Sequence, residues 1–154
     1  MAQIITTDSA ILKQRLLEVS EHVHAFPEEL DAMMQGNYLS CNPDNLTLMI
    51  EFPVLQWEAN YQGILHGGII STMLDHTAGV MVLCFLGCWG PTIDLNVHFI
   101  RSVKVGQVLV STAKIIHAGR RIVQMQVSLS DKETGRTIAT ASAVYLNNQE
   151  VSRL

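Results

Sequence analysis

The sequence predicts an α+β domain: an antiparallel sheet of five or six strands wrapped around one long central helix, with a helical lead-in before it. Three features of the chain carry that expectation. A run from Gly67 to Leu86 is apolar on nearly every side for about twenty residues, the pattern of a helix covered by other structure. Leu46, Leu48, Ile50 and Phe52 alternate with Thr47, Met49 and Glu51, the period of a half-buried strand. Beyond Gly87 and Pro91 come four strand-length runs joined by short, turn-like connections. Parallel strand–helix–strand repetition is absent, which argues against a doubly wound sheet.

In chain order, Asp8 and Ser9 offer an N-cap to a helix whose apolar residues Ile11, Leu12, Leu16, Val19 and Val23 recur at helical spacing. Pro27 stands where a second short helix can begin. Residues 1–40 thus read as a helical lead-in, and the run that Pro53 ends reads as the first strand. The central helix follows, roughly 30 Å long. Thr92–Arg101, Gln107–His117, Arg121–Asp131 and Arg136–Leu146 then form a four-stranded meander, with turns at Val105-Gly106, Ala118-Gly119 and Glu133-Thr134-Gly135. A helix that needs covering and strands with one apolar face make a single domain over 1–154, with its core at 45–147. This is the layout of a hotdog fold.

At 154 residues the chain can bury a substantial core without disulfides or a structural metal. Its first dozen residues lack the basic and apolar segments of a secretory signal, and its three cysteines are an odd number, so the expected location is cytoplasmic. The apolar run from Gly63 to Gly90 is long enough for a membrane span. It carries Asp75 and His76 at its centre and has no flanking Lys or Arg nearby, so a buried core helix explains it better. Cys84 and Cys88 share a helical face but lack the further ligands of a zinc set, and no metal is expected.

Charge is unevenly divided: residues 1–100 hold two basic and eleven acidic side chains, residues 101–154 eight basic and three acidic. The C-terminal part could offer cationic contacts to a phosphate-bearing ligand, while the acidic whole argues against a nucleic-acid binder.

No nucleophile elbow, phosphate loop, dinucleotide fingerprint or H-E-x-x-H motif occurs. His22 and His24 read as surface residues, and Asp94, Asn96 and His98 as one solvated or interfacial strand face. What stands out is Asp75, a lone carboxylate in an apolar helix, which needs either a partner or a task. Upstream, Asn60 and His66-Gly67-Gly68 lead into the same helix. Adjacent glycines at a helix start let a ligand approach free backbone N–H groups at the positive end of the helix dipole. Such a place suits an oxygen that develops negative charge.

Asn60, His66-Gly67-Gly68 and Asp75 together resemble the signature of hotdog-fold acyl-CoA thioesterases of the phenylacetate-pathway and 4-hydroxybenzoyl-CoA thioesterase kind. The likeness extends to Thr92-Ile93-Asp94-Leu95-Asn96, to the hairpin around Gly119-Arg120-Arg121 and to the closing strand from Lys132 to Ala143. It implies hydrolysis of a medium- or long-chain or aromatic acyl-CoA, with Asp75 as general base or nucleophile. It also implies that the Gly67 N–H polarises the thioester carbonyl. Asn60 and His66 would orient the water, the carboxylate or the loop, and the Thr92 hydroxyl would assist the water. Gly68, Arg101, Lys104, Gly119, Arg120, Arg121 and Arg136 would bind coenzyme A, which enters as part of the substrate and not as a cofactor.

Helix geometry adds an independent expectation. Gly67 and Asp75 stand roughly 12 Å apart along a helix axis, on faces about 80° apart. Two antiparallel copies of the helix, each pairing its Gly67 with Asp75 of the partner subunit, would bring both to one bond. A homodimer with shared sites follows, and hotdog dimers can pair again into homotetramers. The rival readings are a non-catalytic acyl-CoA-binding module and a hotdog hydratase or dehydratase; the Pro-rich turn usual in the latter is missing.

Overall fold

The computed structural model describes residues 5–148. Helix α1 (Ser9–His24) starts at Asp8, whose carboxylate accepts the N–H groups of Ala10 and Ile11. It buries Leu12, Leu16, Val19 and Val23, the stripe the spacing predicts. A four-residue helix, α2 (Leu30–Met33), follows. Six strands then form one antiparallel sheet: β1 (Asn37–Asn42), β2 (Thr47–Pro53), β3 (Thr92–Phe99), β4 (Val108–Ala118), β5 (Ile122–Asp131) and β6 (Thr137–Leu146). Between β2 and β3 runs the central helix α3 (Gly67–Leu86), with eleven buried residues along it.

Two expectations need correction. The first strand is not at Leu46 but at Asn37, inside the segment read as purely helical lead-in. A register shift between Tyr38 and Ser40 puts Tyr38 and Cys41, three residues apart, both against the core. The bulge erases the two-residue period by which a strand is recognised. The four C-terminal strands are also not a meander. The sheet order is β1-β2-β4-β5-β6-β3, so only β4, β5 and β6 follow one another, and β3 lies at the far edge beside β6. The stretch from Ile100 to Gln107 crosses the end of the sheet, bonding first to Ile138 and then to Val54.

Helix α3 is fixed at both ends by contacts that satisfy some of its free backbone groups. His66 is its N-cap, the ring Nδ1 accepting the Gly68 N–H at 2.9 Å. Gly87 ends it in the left-handed conformation, φ 74°, and its N–H returns to the Leu83 carbonyl. Arg15 from α1 reaches over that end and donates to the Cys84 carbonyl at 2.7 Å, a cation at the negative pole of the helix. Cys84 and Cys88 are buried. Contact with Cys41 and burial push the Cys84 thiol up, so it stays protonated and inert.

Candidate functional site

Asp75 resolves the puzzle of a charge in an apolar helix: it is half-buried, on a flank of α3 that meets the edge of the sheet. The hydroxyls of Thr92 (β3) and Tyr145 (β6) both reach its Oδ1, at 3.0 and 2.6 Å. These two residues are register partners across the β3–β6 pairing, so the sheet itself sets their spacing. The Tyr145 hydroxyl also lies 2.7 Å from the Asp75 backbone carbonyl. Burial, and then the bond to Asp75, push the Tyr145 phenol up, which keeps it a donor.

The three residues line a pocket of about 220 Å³ together with Asp31, His76 and Trp89. His76 is held at both ring nitrogens: Nδ1 lies 3.1 Å from Asp31 Oδ1 and Nε2 2.8 Å from the Tyr38 hydroxyl. The His76 ring holds the Asp31 carboxyl below its usual range. Burial, followed by the Asp31 charge, pushes the Tyr38 phenol up. The wall beside Asp75 is therefore a hydrogen-bonded chain that ties α2 and β1 to α3.

A second group gathers at the start of α3. Asn60 closes a tight turn, its Oδ1 accepting the Gln62 N–H at 2.9 Å and its backbone carbonyl the Gly63 N–H. The backbone then pairs Ile64 with Lys104 and sends the Leu65 N–H to Val103. The His66 ring occupies the Gly68 N–H, whereas the Gly67 N–H has no acceptor among the described residues. Of the two glycine amides, Gly67 is the one free to meet a ligand. A Cβ on Gly67 would lie 3.4 Å from the Phe99 ring, so the backbone there is close-packed on one side only.

Glu58, just before this turn, is 1% exposed. Its Oε2 accepts the Leu55 N–H at 2.8 Å, its Oε1 has no partner among the described residues, and burial raises its carboxyl.

The protomer thus brings Asp75 together with Thr92, and Asn60 with His66, Gly67 and Gly68, but keeps the two groups apart along α3. The basic residues are divided as well. Arg101, Lys104 and Arg136 lie near the end of the sheet where α3 begins, Arg101 donating to the Thr137 carbonyl. Gly119, Arg120 and Arg121 form the β4–β5 turn at the other end, roughly 30 Å away along β5. Among the described residues, no three His, Cys, Asp or Glu side chains converge as a metal site.

Sequence reasoning missed Tyr145, Asp31, Tyr38 and Glu58. Tyr145 left one signal: it is the lone large polar-tipped residue on a strand face that otherwise presents Ala139, Ala141 and Ala143.

Residues 62–138, which hold His66, Gly67, Gly68, Asp75 and Thr92 with strands β3, β4 and β5, match the family model described as the thioesterase superfamily. The chain belongs to the thioesterase superfamily. Among its relatives is acyl-coenzyme A thioesterase 13 of Mus musculus, 29% identical over 129 residues that cover 83% of this chain and 91% of the relative. The crystal structure of thioesterase superfamily member 2 from Mus musculus superposes with a TM-score of 0.74 at 27% identity, covering 86% of this chain and 95% of that one. A hypothetical thioesterase from Streptococcus pneumoniae, solved with coenzyme A, gives 0.66 at 25% identity, covering 72% and 86%. Fold and family therefore agree with the resemblance read from Asn60, His66-Gly67-Gly68 and Asp75.

Proposed function

We propose that this thioesterase-superfamily protein hydrolyses acyl-CoA thioesters at sites shared between two copies of the chain. The observation that carries the reading is the split just described: a carboxylate with one oxygen tied down in mid-helix, and an unoccupied amide at the helix start. With two α3 helices antiparallel, the Gly67 N–H of one protomer polarises the thioester carbonyl, and the free Oδ2 of the partner's Asp75 activates water or attacks directly. Thiol departure then leaves CoA and a free acid. Thr92 and Tyr145 hold Oδ1, while Asn60 and His66 hold the turn that presents Gly67.

An edge strand supports the assembly. Among the described residues β3 has a strand partner on one side only, and Ile93, Phe99 and Ile100 on or just beyond it are large, apolar and exposed. An uncovered apolar edge beside the site is a natural dimer surface. The relatives named for acyl-CoA, and the coenzyme A bound by the pneumococcal structure, support the substrate class. One of the two basic groups, Arg101 with Lys104 and Arg136 or Arg120 with Arg121, takes the CoA phosphates. The acyl part is medium- or long-chain or aromatic.

The test is thiol release from a panel of acyl-CoAs by wild type and Asp75→Ala. The expected loss in kcat is about 10²–10⁴-fold, the range for removal of a general base. Unchanged turnover in the variant, or no hydrolysis by wild type, sinks the reading. Binding without turnover would point to a binding module, and hydration of an enoyl-CoA to a hydratase.

A further inference from the structure

We propose that Tyr145 is a positioning residue that selects which oxygen of Asp75 reacts; this rests on the thioesterase reading above. Its hydroxyl carries one proton but touches two acceptors of the same residue, Asp75 Oδ1 at 2.6 Å and the Asp75 backbone carbonyl at 2.7 Å. It cannot donate fully to both. An ionised carboxylate is the stronger acceptor, so the proton turns to Oδ1 while Asp75 is charged. When Asp75 gains a proton during turnover, Oδ1 weakens and the hydroxyl turns to the carbonyl without leaving its place. The strong bond thus exists only in the form that acts as base or nucleophile.

Thr92 donates to the same Oδ1 at 3.0 Å, so both hydroxyls converge on one oxygen. Oδ2 is left as the atom facing the pocket chemistry. The Tyr145 ring is 3% exposed and lies along Gly79, one turn beyond Asp75, so packing holds the ring in place. The other titratable groups of this pocket are Asp31 from α2 and His76 from α3, which are bonded to each other.

Tyr145→Phe keeps the ring and removes only the hydroxyl. Its kcat for acyl-CoA hydrolysis should fall about 10- to 100-fold, the scale of one hydrogen bond to a charged group, with KM within about twofold. Incorporation of 3-fluorotyrosine at position 145, which keeps the hydroxyl on a ring of nearly the same shape, should bring kcat back to within about threefold of wild type. A merely structural tyrosine would lower the melting temperature in Tyr145→Phe while the folded protein kept its kcat.

Wild-type kcat in Tyr145→Phe, or a fluorotyrosine protein as slow as Tyr145→Phe, overturns the inference alone. A wild type that turns over no acyl-CoA removes the thioesterase reading, and this inference with it.

Discussion

The start of α3 and its middle carry the two halves of the proposed chemistry, and they are built by different means. At the start most of the bonding is local and backbone: Asn60 folds the turn, His66 caps the helix, and the two glycines leave one amide occupied and one open, with only Ile64 and Leu65 tied to distant Lys104 and Val103. At the middle nothing is local. Asp75 draws its partners from β3 and β6, seventeen and seventy residues away, and the wall beside it comes from α2 and β1. The first half depends on conformation, the second on tertiary placement. Substitutions should therefore act on them differently.

Gly67→Pro tests the first half with the largest expected effect. Proline is tolerated at the first helical position, where it removes the N–H and sets its Cβ 3.4 Å from the Phe99 ring, and His66 at φ −66°, ψ 135° already has the extended conformation that precedes proline. The helix should persist by circular dichroism while kcat falls about 10²–10³-fold, as when one oxyanion donor is lost. Retained turnover would mean that Gly67 serves only the turn.

Gly90→Ala acts on the second half through the fold. A Cβ there would sit 1.9 Å from the Leu146 carbonyl oxygen, at the junction where the Leu146 N–H meets Pro91 and the sheet sets Thr92 against Tyr145. The backbones must part, at a cost of about 1–3 kcal/mol, read as a lower urea midpoint. A midpoint equal to wild type would show that this junction is slack.

The smallest effect is at the pocket wall. Asp31 is depressed in the folded state, so its contribution to stability is present above its unfolded value near 4 and is lost as pH falls through the folded value. Its side chain is 48% exposed, which limits the effect to less than about 1 kcal/mol. Asp31→Asn should flatten the loss of stability between pH 5 and 3, by urea denaturation, by no more than that; a steeper loss would place another group in control.

What the sequence made legible follows the same division. The α3 span, its glycines, Asn60 and His66 are written in contiguous residues, and strands β4 to β6 in plain alternation, so their places could be read. Strand β1 was hidden because its bulge between Tyr38 and Ser40 breaks the period. The position of β3 was hidden because adjacency in sequence suggested a hairpin with β4, whereas the sheet places β3 beside β6. Tyr145 could not be linked to Asp75 before that pairing was known, since only the β3–β6 register brings it to the helix.

The central claim is that one catalytic site takes its amide from one protomer and its carboxylate from the other. The direct measurement is complementation: Asp75→Ala and Gly67→Pro proteins, each nearly inactive, are unfolded together, refolded as a mixture and assayed for thiol release. Random pairing makes half of the dimers mixed, each with one intact site, so the mixture should regain about one quarter of wild-type activity. A mixture that stays as inactive as its two components, while native mass spectrometry shows mixed dimers, would contradict the shared site.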